Sequence, residues 1–329
     1  MQAEPLFNWT RPATELAGFL ASFLAQGAVG FRYAALRGGL ARAAGRGALE
    51  ATERRVYDDA ARRAALLGLA GALAGAVLLA TRLPAVAARR HLAVAQLLTG
   101  DVQTAAETLM LFAAIAGFAL AASRRRIGWP VAATGVLVGT LRAALAGQWA
   151  RLVNPVHLLA AGLWIGTLFV LVVAGLSAVL RDEPVRARRG AIVADMVNGF
   201  SPLALVSGMV VVLFGLLTAW RHLHTLSALW TTRYGYALIV KLCFVAAVFA
   251  LGAWNWRRQR PTLGSEETAA SIRRSSVTEL VAAGLVLIAT AILVSIPAPR
   301  PAGARPPGAP PAAAPAAAAR AAAPDVAGH

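Results

Sequence analysis

"NPVHLLAAGLWIGTLFVLVVAGLSAV", residues 154–179, holds no Asp, Glu, Lys or Arg. As a helix rising about 1.5 Å per residue, it is long enough to cross the ~30 Å hydrocarbon core of a bilayer. Its apolar residues run without interruption instead of marking one face, so it reads as a helix surrounded by lipid and protein. The rest of the chain has the same character. Of 329 residues, 58% are hydrophobic and 14% are charged, against about 25% charged in a soluble domain. Comparable runs lie near residues 13–35, 64–81, 104–122, 128–147, 154–179, 199–220, 234–255 and 278–296. The sequence thus predicts an all-α, polytopic integral membrane protein with eight transmembrane helices. The opening "MQAEPLFNWTRP" has an acid and one arginine, a poor leader n-region, so the first run reads as an uncleaved span.

The formal charge is +17. In a soluble protein that would suggest nucleic acid, but these arginines sit in short connections between apolar runs, where they act as topology signals. Nineteen follow the odd-numbered spans, and ten lie at the amino terminus, after the even-numbered spans or in the tail. Positive residues favour the cytoplasmic side, so both termini are expected outside, on the periplasmic face. The connection "RHLAVAQLLTG", residues 90–100, reads as an interfacial helix. Beyond about residue 298 the composition turns to Ala, Pro and Gly. The organisation expected is a four-span half over 1–150, a second over 151–298, and a disordered tail over 299–329.

Several local signals are expected to set helix starts and contacts. Thr104 with Glu107 has capping-box spacing before the third span. Ser201 and Pro202 have the pattern of an N-cap and first helical position in the sixth. The pairs Gly71/Gly75, Gly135/Gly139 and Gly162/Gly166 have the four-residue spacing that lets helix backbones approach in lipid.

With that topology the polar residues collect at the outward ends of the spans. His157 opens the fifth span, and His222 and His224 close the sixth. Imidazole suits Cu(II) or Zn, and thioethers such as Met110 and Met209 suit Cu(I). Interfacial histidines also serve as polar caps, and methionines more often pack. Glu107 is accounted for by capping alone, and Arg142 by snorkelling to the interface. Lys241 stands out. It is the sole lysine of a chain whose other 31 Lys and Arg positions are all arginine. An ionisable residue inside a span costs a few kcal/mol, so it usually faces protein or water. It lines a pathway or pairs with an acid, for which Glu107 is preferred, or it snorkels. Cys243, two residues on, points away from it on a helix and reads as packing. No nucleotide-binding motif is present, and the chain does not read as an enzyme.

From residue 154 to 298 the sequence resembles the copper resistance protein D family (CopD/PcoD). The resemblance lies in "VHLLAAGLWIGTLF", "GFSPLALVSGMVVVLFGLLTAW", "LSALWTTRYGYALIVKLCFVAAVFALGAWNWR" and "SVTELVAAGLVLIATAILVSIPAP". The family's His–Trp–Gly pattern falls on His157, Trp164 and Gly166. Its Tyr-Gly pair and internal lysine fall on Tyr234, Gly235 and Lys241, and its closing Asn on Asn255. The resemblance implies a bacterial inner-membrane protein that moves or handles copper, often beside a periplasmic CopC-like copper-binding partner. Other classes remain open: a redox membrane protein holding haem between helices, or a copper-linked assembly protein that does not transport.

Overall fold

The computed structural model describes residues 10–47, 49–145, 147–223, 227–259 and 266–295. Within them every regular element is helical. In chain order the main helices are α1 (Thr10–Gly45), α2 (Ala51–Arg89), α3 (Val102–Ala122), α4 (Gly128–Thr140) and α5 (Val153–Arg181). Then come α6 (Arg189–Leu223), α7 (Arg233–Gln259) and α8 (Glu266–Ser295). A short helix, Val94–Gly100, joins α2 to α3, where the interfacial helix was expected. The tail beyond Ser295 and the first nine residues lie outside the described set.

Among the described residues, five helices are long and apolar enough to cross a membrane: α1, α2, α3, α5 and the stretch Arg186–Trp220 that contains most of α6. In α7 and α8 the described apolar stretches are shorter, Gly235–Ala250 and Leu280–Ile292. The fourth expected span differs most. α4 stops at Thr140, and the chain turns through the 3₁₀ segment Arg142–Ala144 to Gly147 at φ 68°.

Helix starts also differ from the local signals. α3 begins at Val102 after Asp101, and the Thr104 hydroxyl donates to the Asp101 carboxylate at 2.5 Å. Glu107 is therefore a turn inside the helix and caps nothing. α6 runs straight through Pro202. Its amino-terminal part is fixed by Ile192, Val193 and Met196, all fully buried, and the Ser201 hydroxyl donates back to the Val197 carbonyl at 2.9 Å. Packing of the turns before Pro202 outweighs its preference for a helix start.

α1 is the hub and touches α2, α4, α5, α6 and α8. It does so through positions without a side chain. A Cβ on Gly71 of α2 would lie 2.6 Å from the Ala21 carbonyl oxygen, and one on Gly199 of α6 would lie 2.8 Å from that of Ala35. Gly27 of α1 and Gly166 of α5 meet backbone to backbone, so a Cβ on either collides with the other's strand of main chain. The α3–α4 pair is closed in the same manner by Gly117 against Ala132 and by Gly135 against Met110 and Ala114. Lipid offers no hydrophobic drive between helices, so close backbone approach carries the association. Two of the helices also carry π turns: Phe31–Leu36 in α1, and Gly162–Gly166 and Leu171–Leu176 in α5.

The end of the bundle holding the α1–α2 and α5–α6 connections is tied by charge. Arg46 pairs with Asp195, and Arg188 reaches Glu50 at 2.9 Å and Glu53 at 3.0 Å. Glu53 and Asp195 are buried, so loss of an arginine would strand a carboxylate.

Two outcomes test this account. Gly27→Ala overpacks the α1–α5 contact and is expected to cost about 1–3 kcal/mol, read as a lower Tm in detergent. Gly18→Ala, with nothing within 4 Å of the added carbon, should gain about 0.5–1 kcal/mol from helix propensity. The Asp101 carboxyl is held below its usual range, first by the Thr104 hydroxyl and also by Arg90 at 3.9 Å. A depressed carboxyl stabilises the fold above its unfolded pKa of about 3.9 and stops doing so as pH falls through the folded value. The Tm gap between wild type and Asp101→Asn should be widest at neutral pH and close in acid.

Candidate functional site

A cavity of about 760 Å³ occupies the end of the bundle opposite the Arg46 and Arg188 ion pairs. It runs down α1 from exposed Arg11 past Glu15 to buried Gln26. Glu107 from α3, Thr140 from α4, Arg142 just beyond it, and Asn154 and His157 from α5 line its walls, with Thr218, Lys241 and Thr290 from α6, α7 and α8. The antiparallel course of the helices explains this mixture. The starts of α1, α3, α5 and α7 and the ends of α4, α6 and α8 meet at one end, so residues far apart in sequence share one space.

His157 sits on the second turn of α5. Its ring packs on Gly215 of α6, where a Cβ would lie 3.2 Å from Cε1. Nδ1 is buried with no hydrogen-bond partner among the described residues, and the ring also interacts with the Val211 backbone of α6. Opposite, Glu107 is held by two arginines. Arg82 of α2 donates to both carboxylate oxygens at 2.8 Å, and Arg142 approaches at 3.1 Å. Arg142 also donates to the Gly139 carbonyl at 2.9 Å. It is therefore bound into the cavity wall.

Lys241 lines the cavity and has no ion-pair partner among the described residues. The expected Glu107–Lys241 pair is not formed in this conformation, since the two arginines take the carboxylate. Both residues nevertheless face the same space. Cys243 is exposed on the outside of α7, which corrects its reading as a buried packing residue. Its separation from Lys241 is as the helical spacing requires.

The other candidates are distributed as follows. Met209 is 70% exposed on the bundle surface. Met110 packs its Cβ 3.2 Å from the position a Gly139 Cβ would take and is not among the cavity-lining residues. The backbone of His222 ends α6, but its side chain and all of His224 lie outside the described residues. Trp164 packs against Phe249 of α7, the rings tilted by 46° with centroids 4.8 Å apart, and Gly166 makes the contact with α1. The Gly235 amide donates to the Thr232 hydroxyl at 2.9 Å near the start of α7. Tyr234 and Asn255 are placed on α7, with side chains outside the description. Among the described residues no three His, Cys, Asp or Glu side chains converge as a closed metal site.

Sequence reasoning missed Gln26, Thr140, Asn154, Thr218 and Arg82. Gln26 left one trace, as the sole carboxamide inside the first apolar run. The Asn154–Thr218 hydrogen bond, 3.2 Å, joins residues 64 apart and left none.

A helical bundle with several membrane-length apolar helices, around a cavity lined by both apolar and polar residues, defines a polytopic membrane protein. Residues 194–293 match the family model described as copper resistance protein D, which bears out the resemblance over the carboxy-terminal part of the chain. The chain is also 30% identical over 151 residues to a Bacillus subtilis (strain 168) protein named copper transport protein CutJ. That similarity covers 45% of this chain and 25% of the relative, so the chain spans about a quarter of that protein's length. No solved structure matches the chain. By position the family match includes Lys241, Tyr234, Gly235 and Asn255 but stops short of His157, Trp164 and Gly166.

Removing Arg142 and Arg82 separately should distinguish their roles. Each alone leaves Glu107 one cation, so Arg82→Ala and Arg142→Ala are expected to lower the Tm modestly. The double variant strands the carboxylate and should lower it by more than the sum, measured by thermal unfolding in detergent.

Proposed function

We propose that this protein is a bacterial inner-membrane protein of copper transport or homeostasis that takes copper from the periplasmic side through the cavity. The observation that carries this reading is the convergence of His157 and Lys241, with Glu107, in one cavity. The family match and the copper transport name of the relative supply the cargo. The arginine distribution supports a cavity mouth that faces outward, ion pairs of Arg46 and Arg188 that face inward, and both termini outside. His157 is the first copper ligand, and His222 and His224 act at the rim. Lys241 gates the deeper part by repelling a cation. With few converging ligands, copper is held loosely, as passage requires, and the named relatives point to transport or resistance rather than to an enzyme. A periplasmic CopC-like protein is the proposed donor.

Copper content of the full chain, purified after growth with copper and measured by mass spectrometry, tests the site. His157→Ala should lose most of the bound copper while eluting as a monodisperse peak. Equal copper in the two proteins removes His157 from the pathway.

A further inference from the structure

Arg32 and Arg37 of α1, with Arg125 and Arg126 of the α3–α4 connection, lie toward the end of the bundle opposite the cavity. None of the four pairs with a carboxylate among the described residues, although nearby Arg46, Arg124 and Arg188 all do. Arg32 is half-buried. Its guanidinium lies over the ring of Trp129 on α4, 5.7 Å from the centroid. Trp129 is itself buried and meets Phe118 of α3 edge-on, with centroids 6.2 Å apart. The aromatic face holds the plane of the cation and leaves its N–H donors at the edge unused by any carboxylate. Trp129 follows directly on Arg124–Arg125–Arg126–Ile127–Gly128. The contact therefore sets Arg32 at the level where apolar helix meets the headgroups. An ionisable residue at that edge of a span calls for a partner.

The backbone of α1 adds a second arginine. In an α-helix, residues five apart point about 140° away from each other. Here the π turn Phe31–Leu36 intervenes, and the Arg37 N–H donates to the Arg32 carbonyl five residues back. That closure turns positions 32 and 37 toward one face. Apolar surface stands open beside the cations: Tyr33, next to Arg32, is 41% exposed, and Ile127, next to Arg126, is 61% exposed. Guanidinium forks match phosphate oxygens. Open apolar surface beside them matches acyl chains, which a soluble phosphate lacks.

We infer that Arg32 and Arg37, with Arg125 and Arg126 beside them, hold the phosphate of an anionic phospholipid, whose chains lie along Tyr33 and Ile127. The lipid links α1, the hub of the bundle, to the start of α4. This site does not depend on the copper-handling reading.

The test is native mass spectrometry of the full chain released from nanodiscs of phosphatidylglycerol and phosphatidylcholine in equal amounts, followed by titration with each lipid. Wild type should retain phosphatidylglycerol in preference to phosphatidylcholine. Arg32→Gln with Arg37→Gln should weaken phosphatidylglycerol about tenfold. Arg125→Gln with Arg126→Gln should weaken it by a smaller factor. Arg54→Gln with Arg55→Gln removes the same charge from exposed positions at the same end of the bundle and should leave retention as in wild type. Glycerol 3-phosphate, the soluble headgroup chemistry, should not displace the lipid. Equal retention of the two lipids by wild type overturns the site. So does an equal loss in the Arg54/Arg55 control, which would assign the effect to diffuse charge. Displacement by glycerol 3-phosphate makes it a soluble-anion site and overturns the lipid. If the Arg32/Arg37 variant does not fold, the Arg125/Arg126 variant, altered in an exposed connection, decides against the same control.

Discussion

The contact of Gly27 with Gly166 is the constraint on which the rest of the bundle depends. It brings the main chains of α1 and α5 together without a side chain between them. Once that approach is made, Gln26, the residue before Gly27, lies against Gly162, one turn before Gly166. Gly71 and Gly199 extend the same device to α2 and α6. In lipid, where apolar side chains gain little by leaving the solvent, this steric fit decides which helices are neighbours. The π turns of α1 and α5 lie at or just below the contact, and such turns recur at functional sites.

Charge is distributed unevenly along the bundle. At one end buried carboxylates are matched by arginines that join α1, α2 and α6. At the other, Glu107 is held by two arginines while Lys241 stands in the cavity without an ion-pair partner among the described residues. A carboxylate with two guanidinium partners is a strut, because it keeps one cation when the other is removed. The Lys241 ammonium has no such partner among the described residues. The arginine and lysine choices of the sequence therefore correspond to different tasks: rigid bidentate pairing for Arg and a compact mobile charge for Lys.

The sequence by itself determined the helical class, the membrane-length runs, the arginine asymmetry and the interest of His157 and Lys241. These follow from local composition and spacing, which a single segment carries whole. It also marked Gly71, Gly135, Gly162 and Gly166 as contact positions without naming their partners. It misplaced the starts of α3 and α6, because burial of residues such as Met196 outweighed the local capping signals. It paired Glu107 with Lys241, because depth alone could not reveal that Arg82 and Arg142 reach the carboxylate first. Only the tertiary structure decided those partners and brought Gln26 and His157 to the walls of one cavity. Each depends on which helices touch, and that is fixed by backbone approach between segments distant in sequence, as at Gly71 with Ala21 and Gly27 with Gly166.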